Sequence, residues 1–206
     1  MLTVEKDRKL LLAMHERAVR LSTDAAGAVT ADRLGVETPC RGWDLRALLA
    51  HMTTQNYGFA AAARGRGDDL ELWEVREWSD PVGDYLAASV DVVAAFAVDD
   101  IFERSFALPE IVPGMPFPAG VAITMHLVDS VVHAWDVARS IGLTVDPDEE
   151  LAHEALRIAA AVPDDENRLE PSAAFAPALD LLDNDSLLDQ TLRLLGRDPD
   201  WAPAVR

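Results

Sequence analysis

Cysteine is nearly absent from this chain: Cys40 is the single one in 206 residues, which excludes an internal disulfide framework and any cysteine-only metal cluster. Lysine is almost missing too, with Lys6 and Lys9 the only two, so arginine carries nearly all the positive charge. Basic groups are scarce overall. Eighteen of them face 36 acidic ones, a formal net charge of −18. A chain this acidic cannot grip nucleic acid, which needs a basic face to displace counterions, and an anionic membrane surface would repel it. The longest nearly apolar run, Leu86 to Val98, is interrupted by Asp91 and is too short to span a bilayer. Residues Met1 to Arg20 are charged throughout and lack the apolar core of a secretory signal, so the expectation is a soluble, cytoplasmic protein. There is no G-x-S-x-G elbow, phosphate loop or dinucleotide fingerprint, and no internal repeat.

What is there reads as helices. Leu10, Leu11, Met14, Ala18, Leu21 and Ala25 form one apolar stripe on a helix from about Val4 to Ala28. Asp44 is placed to cap a second helix that runs to about Arg64, where Gly65 and Gly67 close it. Pro81 and Asp84 open a third, apolar to about Val98. Four prolines and two glycines between Phe102 and Gly120 make that stretch an extended crossover. A fourth helix spans about Ala119 to Ser140 and a fifth Asp148 to Val162, with a last one from Ser186 to Leu195. Four long helices with one long connection predict an all-α four-helix bundle. Residues 1–162 form the bundle with its added fifth helix, and residues 163–206 form a small C-terminal helical extension packed on it.

The fourth helix is apolar around most of its circumference, which predicts burial between its neighbours. Its polar groups are not scattered: at about 100° per residue, His126, Asp129, His133, Asp136 and Ser140 fall within an arc of roughly 80°. Burying a carboxylate with imidazoles costs several kcal/mol unless they are paired or hold a cation. Asp129 and His133, four apart, reach one point beside the helix. His51, on the apolar second helix, is either a satisfied core histidine or a third ligand from a facing helix, which would complete a three-ligand site with an open position.

Thr38-Pro39-Cys40-Arg41-Gly42-Trp43-Asp44, Leu48-Leu49-Ala50-His51, Asp129-x-x-x-His133-Ala134-Trp135-Asp136 and Leu195-Gly196-Arg197-Asp198-Pro199-Asp200-Trp201 occur in this order along nearly the whole chain. Together they resemble the DinB-like superfamily, in the branch of mycothiol-dependent maleylpyruvate isomerase-like proteins. The resemblance implies a four-helix bundle holding one divalent metal, zinc first and nickel or iron as alternatives, on His51, Asp129 and His133. The isomerase's middle ligand is glutamate, so the shorter Asp129 would shift the metal slightly. Asp136 matches an aspartate of the isomerase's active site, whereas the isomerase's larger C-terminal domain is only thinly represented by residues 163–206.

Asp136 is read as a catalytic or ligand-orienting group, or as a surface aspartate paired with Arg139 or Arg193. Trp43, Asn56 and Trp135 are candidates to line a cofactor pocket; the tryptophans read equally as core. His126 is two turns from His133 and reads as a pocket or outer partner, and Cys40 as a small buried apolar group. The function expected is thiol chemistry: a metal-held low-molecular-weight thiol of the mycothiol type, suited to an actinobacterial, arginine-rich host, for S-transfer to or thiol-assisted isomerisation of a small electrophile. A thiol-independent metal hydrolase or lyase, and a non-catalytic metal-binding protein, remain alternatives. The partners expected are the small substrate and the thiol, with the chain a monomer or homodimer.

Overall fold

The computed structural model describes residues 2–170 and 173–203; residues 171–172 and 204–206 of the expected C-terminal extension lie outside them. Six α-helices carry the fold: α1 Leu2–Gly27, α2 Leu45–Ala63, α3 Pro81–Phe96, α4 Ala119–Ser140, α5 Glu149–Ala159 and α6 Leu187–Leu194. The architecture is all-α apart from one small hairpin in the α3–α4 crossover, β1 Ser105–Ala107 antiparallel to β2 Pro116–Pro118. The prolines that forbid a helix there leave extended backbone, and Phe106, fully buried, pins it to the bundle.

The helices begin where short polar side chains can cap them. Asp44 accepts from the Ala47 N–H at the start of α2, and Asp148 from the Leu151 N–H at the start of α5. Ser186 and Asp189 close a reciprocal capping box on α6. No described helix is long and apolar enough to cross a membrane.

In the bundle α1 packs along α4 and α2 along α3, with α1 also touching α3. The fourth seam, between α2 and α4, is much shorter. The α1–α4 pair continues into an apolar layer with α5 and α6 built on Trp135, Leu151, Leu192 and Leu195. A second layer, around Phe59, Phe96 and Phe106, fills the end where α4 begins, and a third, around Leu45, Leu48, Tyr85 and Val137, the end where α4 finishes.

A buried polar chain crosses all four bundle helices. His15 on α1 and His126 on α4 approach to 2.9 Å, His126 and Asn56 on α2 to 2.9 Å, and Asn56 donates to Ser89 on α3 at 2.9 Å. Donation by the Asn56 amide leaves its carbonyl to accept from His126 Nε2–H, so His126 Nδ1 accepts from His15 Nε2–H. Phe59 and Phe96 lie against these rings. Neither imidazole has room for a second proton. Burial, reinforced for His15 by the neighbouring His126, lowers both: His126 to about 4, against the opposing pull of Asp129, and His15 well below its ordinary value.

Gly58, in the middle of α2, permits a close approach. An added Cβ would lie 2.6 Å from the Trp73 ring, which is 5% exposed and held by its Nε1–H donating to the Gly67 carbonyl at 2.8 Å.

Two outcomes follow from this packing. Gly58→Ala, which in an open helix gains about 1 kcal/mol, will instead lower the urea midpoint, by roughly 1–3 kcal/mol of overpacking; an unchanged or raised midpoint contradicts the Trp73 contact. Because His15 and His126 bind protons less readily folded than unfolded, their contribution to stability is full above about pH 6.5 and is lost as pH drops from 6.5 towards 4. His126→Gln should flatten that slope in urea titrations across the same window.

Candidate metal centre

α4 presents its polar arc at the short α2–α4 seam. His133 is held from both sides: its Nδ1 lies 2.9 Å from Asp136 Oδ2 and its Nε2 3.3 Å from Asp129 Oδ1. Asp136, one turn on, is completely buried. Its carboxylate also accepts from the Arg197 guanidinium, Nε at 3.1 Å and Nη2 at 3.3 Å, and from the Cys40 thiol at 3.2 Å.

Arg197 reaches Asp136 because of how α6 ends. Gly196 turns at φ +73°, its N–H donating to the Arg193 carbonyl and the Arg197 N–H to that of Leu192, a left-handed helix stop. A Cβ at Gly196 would sit 2.5 Å from the Ala176 carbonyl oxygen, so only glycine fits the turn. The chain is thereby redirected, and the Arg197 side chain, 12% exposed, enters the bundle.

The loop before α2 is shaped by Thr38, whose hydroxyl donates to the Trp43 carbonyl at 2.9 Å and accepts from the Cys40 N–H at 3.2 Å. That knot directs Cys40 inward and leaves Trp43 over His51, ring centroids 4.8 Å apart. The His51 ring meets the His133 ring edge-on at 5.4 Å.

Charge is balanced within this cluster. Burial would raise Asp129, but the neighbouring His133, by charge and hydrogen bond, outweighs it and holds the carboxylate below its usual range. Burial likewise opposes ionisation of Asp136, and Arg197 and His133 together keep it ionised. Burial would lower His133; Asp129 above all, with Asp136 and Cys40, raises it well above an ordinary imidazole. His51 is pushed down to about 4 by burial and by His133 and Arg197, against the opposing pull of Asp129, which leaves its imidazole neutral with a nitrogen lone pair free.

Two donor sets share His133. Cys40, His133 and Asp136 offer ligand-type atoms all within 4.8 Å of one another, a group able to hold a metal ion. That corner already contains a cation, because Arg197 lies on both Asp136 oxygens and 3.5 Å from Cys40 Sγ. On the other side of His133, the His51 ring lies edge-on to its ring and Asp129 Oδ1 lies 3.3 Å from its Nε2, a looser set than the first, whose ligand-type atoms all lie within 4.8 Å of one another. This second set can hold a divalent ion only once His133 Nε2 has given up its proton, with a neutral imidazole and a carboxylate beside it and its Nδ1 fixed by a buried carboxylate, the arrangement that orients histidine on metals. Asp129, with 31% of its side chain exposed, is the set's solvent-facing member.

The other residues singled out in the sequence lie as follows. Trp43 stands at the rim, 36% exposed. Asn56 belongs to the buried chain through His126 and Ser89. Trp135 packs in the apolar layer with α5 and α6. His126 bonds His15 and Asn56, and the partner of Asp136 is Arg197 rather than Arg139 or Arg193. In the sequence Arg197 stands only as one member of the Leu195–Trp201 run, with no role of its own; its one local signal is its place directly after a helix-stopping glycine.

The family profile described as the mycothiol maleylpyruvate isomerase N-terminal domain matches residues 15–138, the stretch that holds His51, Asp129, His133 and Asp136. The chain belongs to this family. Two uncharacterised proteins of Mycobacterium tuberculosis, from strains CDC 1551 and H37Rv, are each 31% identical to it over 158 residues, 73% of this chain and 78% of theirs. Among solved structures, the mycothiol-dependent maleylpyruvate isomerase shares the fold with a TM-score of 0.63 at 15% identity, over 94% of this chain and 90% of that one. A histidine-to-alanine variant of the isomerase aligns with a TM-score of 0.55 at 12% identity, over 74% and 69% of the two chains. The likeness in fold at 94% coverage extends past the bundle into the C-terminal segment, further than the thin representation expected there.

Removing one member of the buried ion pair exposes its worth. Arg197→Ala leaves Asp136 with a buried charge and should cost about 3–5 kcal/mol of stability. Adding Asp136→Asn to that variant should recover part of the loss in urea denaturation; no recovery would mean that the arginine acts through packing alone.

Proposed function

We propose that this chain is a divalent-metal enzyme that uses a low-molecular-weight thiol of the mycothiol type to isomerise, or transfer sulfur to, a small electrophilic substrate. One observation supports the metal half of this reading: across the least closely packed seam of the bundle, the His51 ring on α2 lies edge-on to His133 on α4, whose Nε2 is 3.3 Å from Asp129. Membership of the mycothiol maleylpyruvate isomerase N-terminal domain family supports the thiol half.

A divalent ion held by these three side chains, zinc first and nickel or iron by the same donors, supplies the Lewis acidity that keeps a thiol ionised near neutral pH. The rest falls to the protein. Asp136 accepts the His133 Nδ1 proton and keeps the ring's Nε2 turned towards Asp129. Arg197 and Cys40 donate to Asp136 and hold it against rotation, so Asp136 serves as a positioning residue. Trp43, half in solvent above His51, forms an apolar wall on the open side, where substrate and thiol enter.

In the isomerisation the thiol sulfur bonds to the electrophilic carbon of a conjugated double bond. The former double bond turns as a single bond, and breaking of the carbon–sulfur bond returns the thiol unchanged. Maleylpyruvate, named for the structural neighbours, is the first substrate to try.

Purified protein should contain zinc at about one ion per chain, and His51→Ala should lose it by elemental analysis while the fold persists by circular dichroism. Turnover of maleylpyruvate or a related electrophile should require added mycothiol. Full metal retention in His51→Ala overturns the ligand set, and equal turnover without any thiol overturns the thiol reading in favour of a hydrolase or lyase.

A further inference from the structure

We propose that Glu110, carried by the loop between β1 and β2, is a specificity-determining residue of the metal centre. It selects a thiol whose far end bears a hydrogen-bond donor, an ammonium or a hydroxyl, over one that ends in a carboxylate. This inference rests on the metal and thiol reading above and narrows which thiols that site takes.

The seat of Glu110 is Gln55. The Gln55 amide donates to Glu110 Oε2 at 2.6 Å, across 55 residues of chain. An α-helix turns about 100° per residue, so on α2 Gln55 projects about 40° from the direction of His51, on the side of Asn56. Both of those residues meet α4, the His51 ring at His133 and the Asn56 side chain at His126. Gln55, buried, is therefore turned to the α2–α4 seam at a level between the two contacts. The pairing of 51 with 133 and of 56 with 126 makes the helices antiparallel, so the residue of α4 at that level is Asp129. β1 packs against both α2 and α4, which sets the hairpin across the same seam.

Glu110 arrives there without a counterion. It is exposed, and among the described residues its one hydrogen-bond partner is the Gln55 amide, which leaves the second carboxylate oxygen to accept from a ligand. The loop is held on both sides of it: Leu108 is buried, and its carbonyl accepts from the Ile111 and Val112 N–H groups. Asp129, the solvent-facing member of the ligand set, adds a second negative charge at the same level. Two carboxylates there repel an incoming carboxylate and attract a donor or a cation. Gln55 lies one turn, about 6 Å, beyond His51 along α2, while Trp43 covers His51 from the loop before the helix. A thiol held beside His51 thus brings a head group two or three carbons away to the level of Glu110.

The probes are cysteamine and 3-mercaptopropionate, two short thiols that end in an ammonium and a carboxylate. Each is added to the whole chain loaded with cobalt(II), whose visible bands report metal uptake and whose near-ultraviolet band reports thiolate ligation. In the parent, cysteamine should bind about tenfold more tightly than 3-mercaptopropionate. Glu110→Gln removes one charge from an exposed side chain and should cut that ratio about fivefold, with cobalt uptake unchanged. Gln55→Leu, which unseats Glu110, should cut it as well. A general attraction of cations to a chain of net charge −18 survives the loss of one carboxylate. A ratio that Glu110→Gln leaves unchanged, or a parent that binds both thiols equally, therefore overturns this inference alone. A parent that takes up no cobalt overturns the metal centre and this inference with it, and cobalt uptake with no thiolate band overturns the thiol reading in the same way.

Discussion

A single buried carboxylate organises this molecule. Asp136 has no contact with solvent, and an ion there would be expelled or neutralised were it not met by donors from three separate parts of the chain. His133 answers from the same helix, Cys40 from the loop before α2 and Arg197 from beyond α6. Each of those elements is therefore placed by the demand of one charge as well as by apolar packing. Specificity of position, more than net stability, is what such an arrangement supplies, because an apolar trio could fill the same space in several ways.

The buried polar chain plays the complementary part in the middle of the bundle. It joins one residue from each of the four helices through neutral hydrogen bonds, with both nitrogens of His126 engaged. It holds α2 and α4 in register where their direct contact is short. A seam left open by packing yet fixed by hydrogen bonds can carry reactive groups without being closed by hydrophobic collapse. His51, Asp129 and His133 occupy that seam.

Much of the architecture was legible in the amino-acid order because its signals are local. Asp44, Asp148 and Ser186 mark helix starts by chemistry within three residues, and α4 runs from Ala119 to Ser140 as its periodicity predicts. The proline-rich crossover read as extended because proline forbids the alternative; that it would pair into a hairpin depended on Ser105 finding Pro118 across the loop. The arc containing Asp129, His133 and Asp136 followed from helical geometry alone, and hydrogen bonds do link the three. What spacing could not supply was partners. The counterion of Asp136 stands 61 residues away, and nothing in either neighbourhood names the other. His15 drew no notice because its single hydrogen bond crosses to another helix, 111 residues on.

The distance between Asp136 and Arg197 has a temporal side. A ribosome releases α4 well before residue 197 leaves its exit tunnel, so for that interval the nascent bundle holds a carboxylate whose compensating charge has not yet been made. The bundle can collapse early, but the corner where its reactive groups sit stays unset until Arg197 has emerged. Final assembly of the pocket is thus deferred to the polypeptide that follows α6, and a chain stalled or clipped before Arg197 would fold into the right shape around the wrong interior.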